Sequence, residues 1–108
     1  MAPVTEAQVE YVRALIAAIP SGRVSTYGDL AGLAGLTSPR IVGWIMRTDA
    51  ADLPWHRVVP VSGRPAAGLR TRQLARLRDE CVPIADDRVV MKQARVDPSA
   101  LDVPGDHT

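Results

Sequence analysis

Two short helical stretches with clear start signals, separated by a tight turn, constrain the fold of this chain most. Thr26 is a good N-cap for a helix across Tyr27 to Ala34, and Gly35-Leu36-Thr37 forms the turn. Ser38 caps the next helix, residues 39–47, whose first turn holds a proline, where a missing N–H is tolerated. The pattern predicts a helix-turn-helix, with the second helix as the candidate reader of nucleic acid.

Flanking segments extend this core on both sides. Thr5 and Gln8 match a capping box at the start of a first helix with an apolar stripe, and Pro20-Ser21-Gly22 ends that helix. Downstream, Arg57-Val58-Val59 is a short β-prone run that a turn at 62–65 follows. A hairpin-like element after a helix-turn-helix indicates a winged variant.

The last third of the chain shows weaker signals. Residues 68–80 regain helical character, and Arg88-Val89-Val90-Met91 has the composition of a last short strand. We therefore predict a mostly α, winged helix-turn-helix domain with a short β-wing over residues 1–97, and a flexible tail over 98–108.

Composition excludes several classes of protein. A chain of 108 residues forms one domain, and its apolar runs are far shorter than the ~20 residues of a membrane span. The N-terminus lacks a signal-peptide pattern, and the single cysteine, Cys81, cannot form an internal disulfide and suits a reducing cytosol. Because the two histidines and this cysteine are well separated, the sequence does not favour a structural zinc site. We expect no metal and no cofactor.

Charge is distributed unevenly, although the formal net charge is only +1. Acidic residues predominate after residue 79, whereas the segment 23–78 holds nine arginines and three aspartates. This basic middle concentrates positive potential where phosphates could bind.

The run Pro54-Trp55-His56-Arg57-Val58-Val59 carries the most specific functional signal. It resembles the Pro-Cys-His-Arg-Val active-site signature of the O6-alkylguanine-DNA alkyltransferases, with Trp55 at the place of the alkyl-accepting cysteine. A thiolate beside a histidine can take an alkyl group by displacement, whereas an indole offers one N–H donor and no comparable nucleophile. The substitution is similar to that of the alkyltransferase-like proteins, which bind damaged DNA without repairing it.

Three further segments match that family in order and approximate spacing. The run Gly22-Arg23-Val24-Ser25-Thr26-Tyr27 resembles the segment before the first reader helix, and Arg40-Ile41-Val42-Gly43-Trp44-Ile45-Met46 resembles the recognition helix. Glu80 lies where the family keeps a glutamate near the end of a late helix. The resemblance spans roughly Val9 to Val90 and corresponds to the family's C-terminal domain.

The resemblance implies roles for individual residues. Arg40 would enter the minor groove and fill the gap that an everted nucleotide leaves, as a planar cation with several donors can. Tyr27 would lie beside the flipped nucleotide, where a phenol can donate and accept. The residues implied for DNA binding and base flipping are Tyr27, Ser38, Arg40, Gly43 and Arg47.

A lesion pocket follows from the same comparison. Trp55 would offer an apolar face to the base and its alkyl group, while His56 and Glu80, without a nucleophile to activate, would form a structural pair at the pocket floor. We expect Cys81 to be an inert packed thiol. Trp44 stands where relatives often have a small residue and contacts either DNA or a neighbouring segment. The residues implied for the pocket are Tyr27, Met46, Trp55, His56, Val58, Arg70 and Glu80, with Arg72 as a further candidate near the adduct.

These inferences predict a non-enzymatic protein that binds O6-alkylguanine in duplex DNA, flips it and flags it for nucleotide excision repair proteins. We expect a monomer that binds no membrane and is cytoplasmic, nucleoid-associated in a bacterium or nuclear in a eukaryote. Two alternatives stay open. A winged-helix transcription regulator would use the same helices in the major groove, and an active alkyltransferase would use Cys81.

Overall fold

The computed structural model describes residues 4–101, and these form a mostly helical domain with two small sheets. In chain order the elements are α1 (Glu6–Ala18), β1 (Ser25–Thr26), α2 (Tyr27–Leu33), α3 (Pro39–Asp49), a 3-10 turn (Trp55–Arg57), β2 (Val58–Val59), α4 (Arg70–Asp79), β3 (Ile84–Ala85), β4 (Arg88–Val89), α5 (Met91–Ala94) and a second 3-10 turn (Pro98–Ala100).

The predicted helix starts are confirmed by their caps. The Gln8 N–H donates to Thr5 Oγ1 and the Thr5 N–H donates to Gln8 Oε1, both at 3.0 Å, which is the capping box. Thr26 Oγ1 accepts from the Asp29 N–H at the start of α2, and Ser38 Oγ accepts from the Arg40 N–H at the start of α3. The helix-turn-helix is therefore formed by α2 and α3.

The strands pair differently from the sequence-based expectation. β2 does not form a hairpin-like wing; it pairs in parallel with β1, so that Ser25 lies opposite Val58. Pro60 follows at once and lacks an N–H for a further ladder bond. The antiparallel hairpin is formed instead by β3 and β4. Its turn, Asp86-Asp87, has both φ angles positive, at 54° and 58°, and lacks the glycine that usually marks such a turn.

The end of the domain also differs from expectation. The strand predicted over residues 88–91 stops at Val89, because Met91 already begins α5. The folded part of the chain extends beyond residue 97, since Pro98–Ala100 form a 3-10 turn and Leu101 packs against the core. The remainder of the predicted tail, residues 102–108, lies outside the described residues.

Two apolar cores share one short strand. Val58 packs with side chains of α1, α2 and α3, whereas its neighbour Val59 packs with α4 and the β3–β4 hairpin. Both side chains are fully buried, because successive residues of a strand point to opposite faces. This strand fixes the segment just before it, which contains Trp55, against both halves of the domain.

No helix among residues 4–101 is long and apolar enough to cross a membrane. Within the same residues, no three His, Cys, Asp or Glu side chains come together in a group that could hold a metal ion.

Candidate nucleic-acid interface

Two adjoining cavities open beside the recognition helix α3. The outer groove, about 710 Å³, is lined by Thr26, Tyr27, Gly28, Asp29, Pro39, Arg40, Gly43, Arg47, Pro60, Val61 and Arg95. The indole pocket, about 600 Å³, is lined by Tyr27, Gly43, Met46, Arg47, Ala51, Trp55, Pro60, Ala66, Leu69 and Arg72. Because Tyr27, Gly43, Arg47 and Pro60 line both, the two cavities form one cleft.

Uncompensated cations surround this cleft. Arg40, Arg47 and Arg72 are exposed, and none of them forms a salt bridge with another residue of the described chain. Arg95 is different, because it donates to both Asp29 carboxylate oxygens at 2.6 and 2.9 Å and so ties α2 to the end of α5. Three free arginines around an apolar cleft attract a polyanion.

Tyr27 lies where the groove meets the pocket. It is the first residue of α2, held there by the Thr26 cap and the parallel pairing of Thr26 with Val59. Burial raises the pKa of the Tyr27 phenol above its usual value, and nearby Arg47 only partly opposes this. Tyr27 therefore keeps its hydroxyl proton at neutral pH and can donate as well as accept.

Trp55 forms one side of the indole pocket and is half-buried. The guanidinium carbons of Arg72 and Arg76, both on α4, lie 5.5 and 5.4 Å from the centre of its ring. These distances are within the range of cation–π contacts. The His56 ring meets the indole edge-on, with an angle of 89° between the planes. The indole is thus oriented from two sides.

A charged cluster lies directly behind Trp55. His56 Nε2 is 2.9 Å from Glu80 Oε2, which confirms the predicted pair, and the Arg57 guanidinium donates to both Glu80 oxygens at 2.9 and 2.7 Å. These bonds, chiefly those from Arg57, hold the pKa of Glu80 at about 2 although partial burial opposes the shift. An ionised carboxylate only accepts, so His56 Nε2 carries the proton.

The same segment is anchored by contacts that the sequence did not predict. The buried Gln73 side-chain amide, on α4, donates to the backbone oxygens of His56 and Val58 at 3.0 and 2.8 Å. Arg57 also donates to the Ile19 carbonyl at the end of α1, at 2.8 Å. The signal that could have found this anchor is the position of Gln73, four residues from both Leu69 and Leu77 on the apolar face of an arginine-rich helix, because an amide buried there requires partners.

The structure brings most of the predicted site residues together. Of the residues predicted to bind DNA, Ser38 lies outside the cleft lining, because its hydroxyl caps α3. The structure adds Pro60, Ala66 and Leu69 to the lining, on the loop that follows β2. The predicted residues that line the cleft are Tyr27, Arg40, Gly43, Met46, Arg47, Trp55 and Arg72.

Four residues predicted for the pocket do not line it. Val58 is fully buried in the core, because its strand is covered on both faces. Arg70 donates to the Pro65 carbonyl at 3.2 Å and thereby holds the loop before α4. His56 and Glu80 lie behind the indole. These four residues position the pocket from outside.

Cys81 and Trp44 both lie at the surface of the domain. Cys81 is not packed, as was expected, but exposed, with a φ of 63° just after α4. Its N–H donates to the Arg78 carbonyl and the Val82 N–H to the Leu77 carbonyl, which together form a Schellman motif. Trp44 has 48% of its surface exposed on α3.

An exposed recognition helix, an arginine-rimmed apolar cleft and a small second sheet define a helix-turn-helix DNA-binding domain. Residues 8–82 match the family described as the DNA binding domain of 6-O-methylguanine DNA methyltransferase. The chain therefore belongs to the O6-alkylguanine-DNA alkyltransferase family, and within it to the alkyltransferase-like proteins.

Individual relatives agree with this assignment. Alkyltransferase-like protein 1 of Schizosaccharomyces pombe is 40% identical over 73 residues, which cover 61% of this chain and 68% of the relative. A DNA base-flipping protein of Escherichia coli is 52% identical over 50 residues, 42% of this chain. That match spans 37% of the E. coli protein.

Solved structures show the same fold. The crystal structure of S. pombe Atl1 in complex with damaged DNA containing O6-carboxymethylguanine superposes with a TM-score of 0.78 at 27% identity, covering 89% of this chain and all of that chain. Mycobacterium tuberculosis O6-methylguanine methyltransferase superposes with a TM-score of 0.59 at 29% identity, covering 72% of this chain and 50% of that one.

Proposed function

We propose that this protein recognises O6-alkylguanine in double-stranded DNA by flipping the damaged base into the cleft, and that it does so without alkyl transfer. The observation that carries the proposal is the position of Trp55. Its indole forms one side of a pocket that Tyr27 and Arg47 connect to the exposed face of α3. An S. pombe relative crystallised with O6-carboxymethylguanine DNA supports the substrate class.

Docking begins with phosphate contacts. The exposed guanidinium groups of Arg40 and Arg47 approach the phosphates and displace condensed counterions as α3 docks in the minor groove. Arg40, in the first turn of α3, enters the base stack as the damaged nucleotide leaves it. Flipping costs a few kcal/mol and less at a weakened pair, so an alkylated guanine leaves the stack more readily than a normal one.

The pocket then holds the flipped base by stacking and hydrogen bonding. Trp55, Met46 and Leu69 supply apolar surface for the purine and its alkyl group. The protonated Tyr27 hydroxyl donates to the base edge or to the rotated phosphate. Arg72 adds a cation beside the indole.

Among residues 4–101, no thiol lines this pocket. The indole of Trp55 has an N–H donor and no thiolate, so a base held against it stays alkylated. His56 and Glu80 hold the Trp55 segment in place, because Arg57 keeps Glu80 ionised and the carboxylate fixes the imidazole. Because no alkyl transfer ends the interaction, the complex persists at the lesion. It marks the lesion for nucleotide excision repair proteins. The protein acts as a monomer of one domain.

A binding assay combined with mass spectrometry tests the proposal. Duplexes of one sequence with O6-methylguanine or guanine are titrated by gel shift, and the intact mass of the protein is then measured after incubation with excess lesion DNA. We expect tighter binding to the lesion duplex and an unchanged mass. A gain of one methyl, above all on Cys81, would establish transfer, and preference for a base sequence regardless of damage would favour the transcription regulator.

A further inference from the structure

Trp44 is a large, exposed apolar side chain that does not line the indole pocket. Among residues 4–101 the large apolar side chains that stay exposed are Trp44, at 48%, and Val61, at 74%, and Val61 lines the outer groove. Trp44 lines neither cavity of the cleft. The indole of Trp44 is half exposed on the recognition helix and has no role in the neighbouring pocket. One face of this indole is therefore available for a partner.

Helical geometry places Trp44 on the same face as the free arginines. At about 100° per residue, Trp44 lies about 40° from Arg40 and about 60° from Arg47 around α3, whereas the buried Val42 lies about 160° away. Gly43, which lines the cleft, lies about 60° from Arg40 on its other side. Arg40 therefore separates Trp44 from the cleft.

The charge of this face indicates the partner. Arg40 lies one helical turn before Trp44 and Arg47 one turn after it, and neither arginine forms a salt bridge with another described residue. The acidic residue of α3, Asp49, lies near the buried side and contacts Arg13. This face carries two cations beside one aromatic ring. It is complementary to the minor groove of DNA, whose rims are anionic phosphates and whose walls are apolar sugar surface.

We propose that Trp44 is a second DNA contact, which packs against the sugar wall of the minor groove in the part of the duplex that stays stacked. The inference rests on the proposed docking of α3 in the minor groove. Because Trp44 lies across Arg40 from the cleft, it contacts the same atoms whether or not a lesion is present. It strengthens binding to duplex DNA in general, and Trp55 supplies the discrimination.

The test compares Trp44→Ala and Trp44→Phe with the wild-type protein on O6-methylguanine and guanine duplexes at several salt concentrations. Trp44→Ala should weaken binding to both duplexes by the same factor, on the order of tenfold, which is the scale of one aromatic contact. The ratio of the two affinities should stay within about twofold, and Trp44→Phe should restore most of the loss. Arg47→Ala, the control on the same face, should lower the salt slope by about 1, whereas Trp44→Ala should leave it unchanged.

Fluorescence gives a second measurement. The chain has two tryptophans, so Trp55→Phe leaves Trp44 as the sole tryptophan, whose emission is excited selectively over that of the two tyrosines at the red edge of the absorption band. At saturating undamaged duplex, acrylamide should quench Trp44 less than it does in the free protein. Thermal melts of Trp44→Ala should match those of the wild-type protein, because the side chain is exposed.

Several results would overturn the inference. Unchanged affinity of Trp44→Ala for both duplexes, or unchanged acrylamide quenching, would place Trp44 away from the DNA. Loss of affinity for the lesion duplex alone would make it part of the pocket. Dimerisation that Trp44→Ala abolishes would assign the face to a second copy of the chain. If the wild-type protein binds both duplexes equally, the proposed lesion recognition fails while the Trp44 contact is still measured, and binding to neither duplex would refute both.

Discussion

The Arg72 guanidinium lies over the Trp55 indole, with its central carbon 5.5 Å from the ring centre. The pair joins the 3-10 turn before β2 to helix α4, and both residues line the indole pocket. The pocket side that would meet a flipped base is therefore aromatic and cationic together, which the sequence alone only suggested.

Replacing Arg72 with alanine should weaken binding to an O6-methylguanine duplex by about 0.5–1 kcal/mol, the scale of an exposed cation–π contact. The effect should depend on the indole, so the losses caused by Arg72→Ala and Trp55→Ala should not add in a double-mutant cycle. Arg78→Ala, which removes an exposed arginine of the same helix outside the cleft and only a long surface ion pair with Asp87 at 3.6 Å, is the control. Strict additivity of Arg72 and Trp55 would mean that the two side chains act separately.

Replacing Arg40 with alanine should reduce base flipping, because Arg40 is the cation expected to enter the base stack. A fluorescent base analogue opposite the lesion should report less unstacking than with wild-type protein. The control is Arg88→Ala, an exposed arginine on β4 outside the cleft. Arg13 is unsuitable for this purpose, because it pairs with Asp52 and so supports the loop after α3. Equal behaviour of the Arg40 and Arg88 variants would mean that α3 does not enter the groove.

Local signals predicted the helices well and the strand pairing poorly. The caps at Thr5, Thr26 and Ser38 depend on residues three positions apart or fewer, so a sequence pattern reveals them. The pairing of β1 with β2 joins segments that are more than thirty residues apart, and no local pattern specifies that partner. The wing was misplaced for this reason.

The same distinction between local patterns and long-range packing applies to the predictions for the candidate site. Its motif residues, Tyr27, Arg40 and Trp55, were predicted from the family resemblance, and the structure places all three at the cleft. Val58, the last residue of the Pro-Trp-His-Arg-Val signature, was assigned to the pocket from the same resemblance, but its strand lies between two cores. Contacts from α4, such as those of Gln73, depend on tertiary packing and carry no motif.

Acid should destabilise the domain through Glu80. Its pKa is about 2 in the folded protein and near 4.5 when unfolded, so its contribution is present above pH 4.5 and is lost as the pH falls towards 2. At about 1.4 kcal/mol per pKa unit, the contribution amounts to up to about 3 kcal/mol. Urea unfolding at pH 7, 5, 4 and 3 should show this loss, and Glu80→Gln should flatten it. Glu6→Gln, an exposed carboxylate, is the control, and an unaltered pH dependence in Glu80→Gln would refute the assignment.

Replacing Cys81 with glycine should stabilise the domain by about 0.5–1 kcal/mol. A left-handed φ is unfavourable for a residue with a Cβ, and glycine removes that strain while it adds some entropy to the unfolded chain. DNA binding should stay unchanged, because Cys81 is outside the cleft. Cys81→Ala, which removes the thiol but keeps the Cβ, should show no such gain. Lower stability of the glycine variant would mean that the Schellman turn is not strained.

The proposed role of Trp55 in lesion recognition is tested most directly by the difference in binding free energy between O6-methylguanine and guanine duplexes. This difference is measured for the wild-type protein and for Trp55→Ala at two salt concentrations. General affinity comes mainly from arginine–phosphate contacts and should keep its salt dependence in the variant. The preference for the lesion should fall by about 1–3 kcal/mol, the scale of one base–aromatic contact. A folded Trp55→Ala protein that keeps the full preference would show that the damaged base is recognised elsewhere.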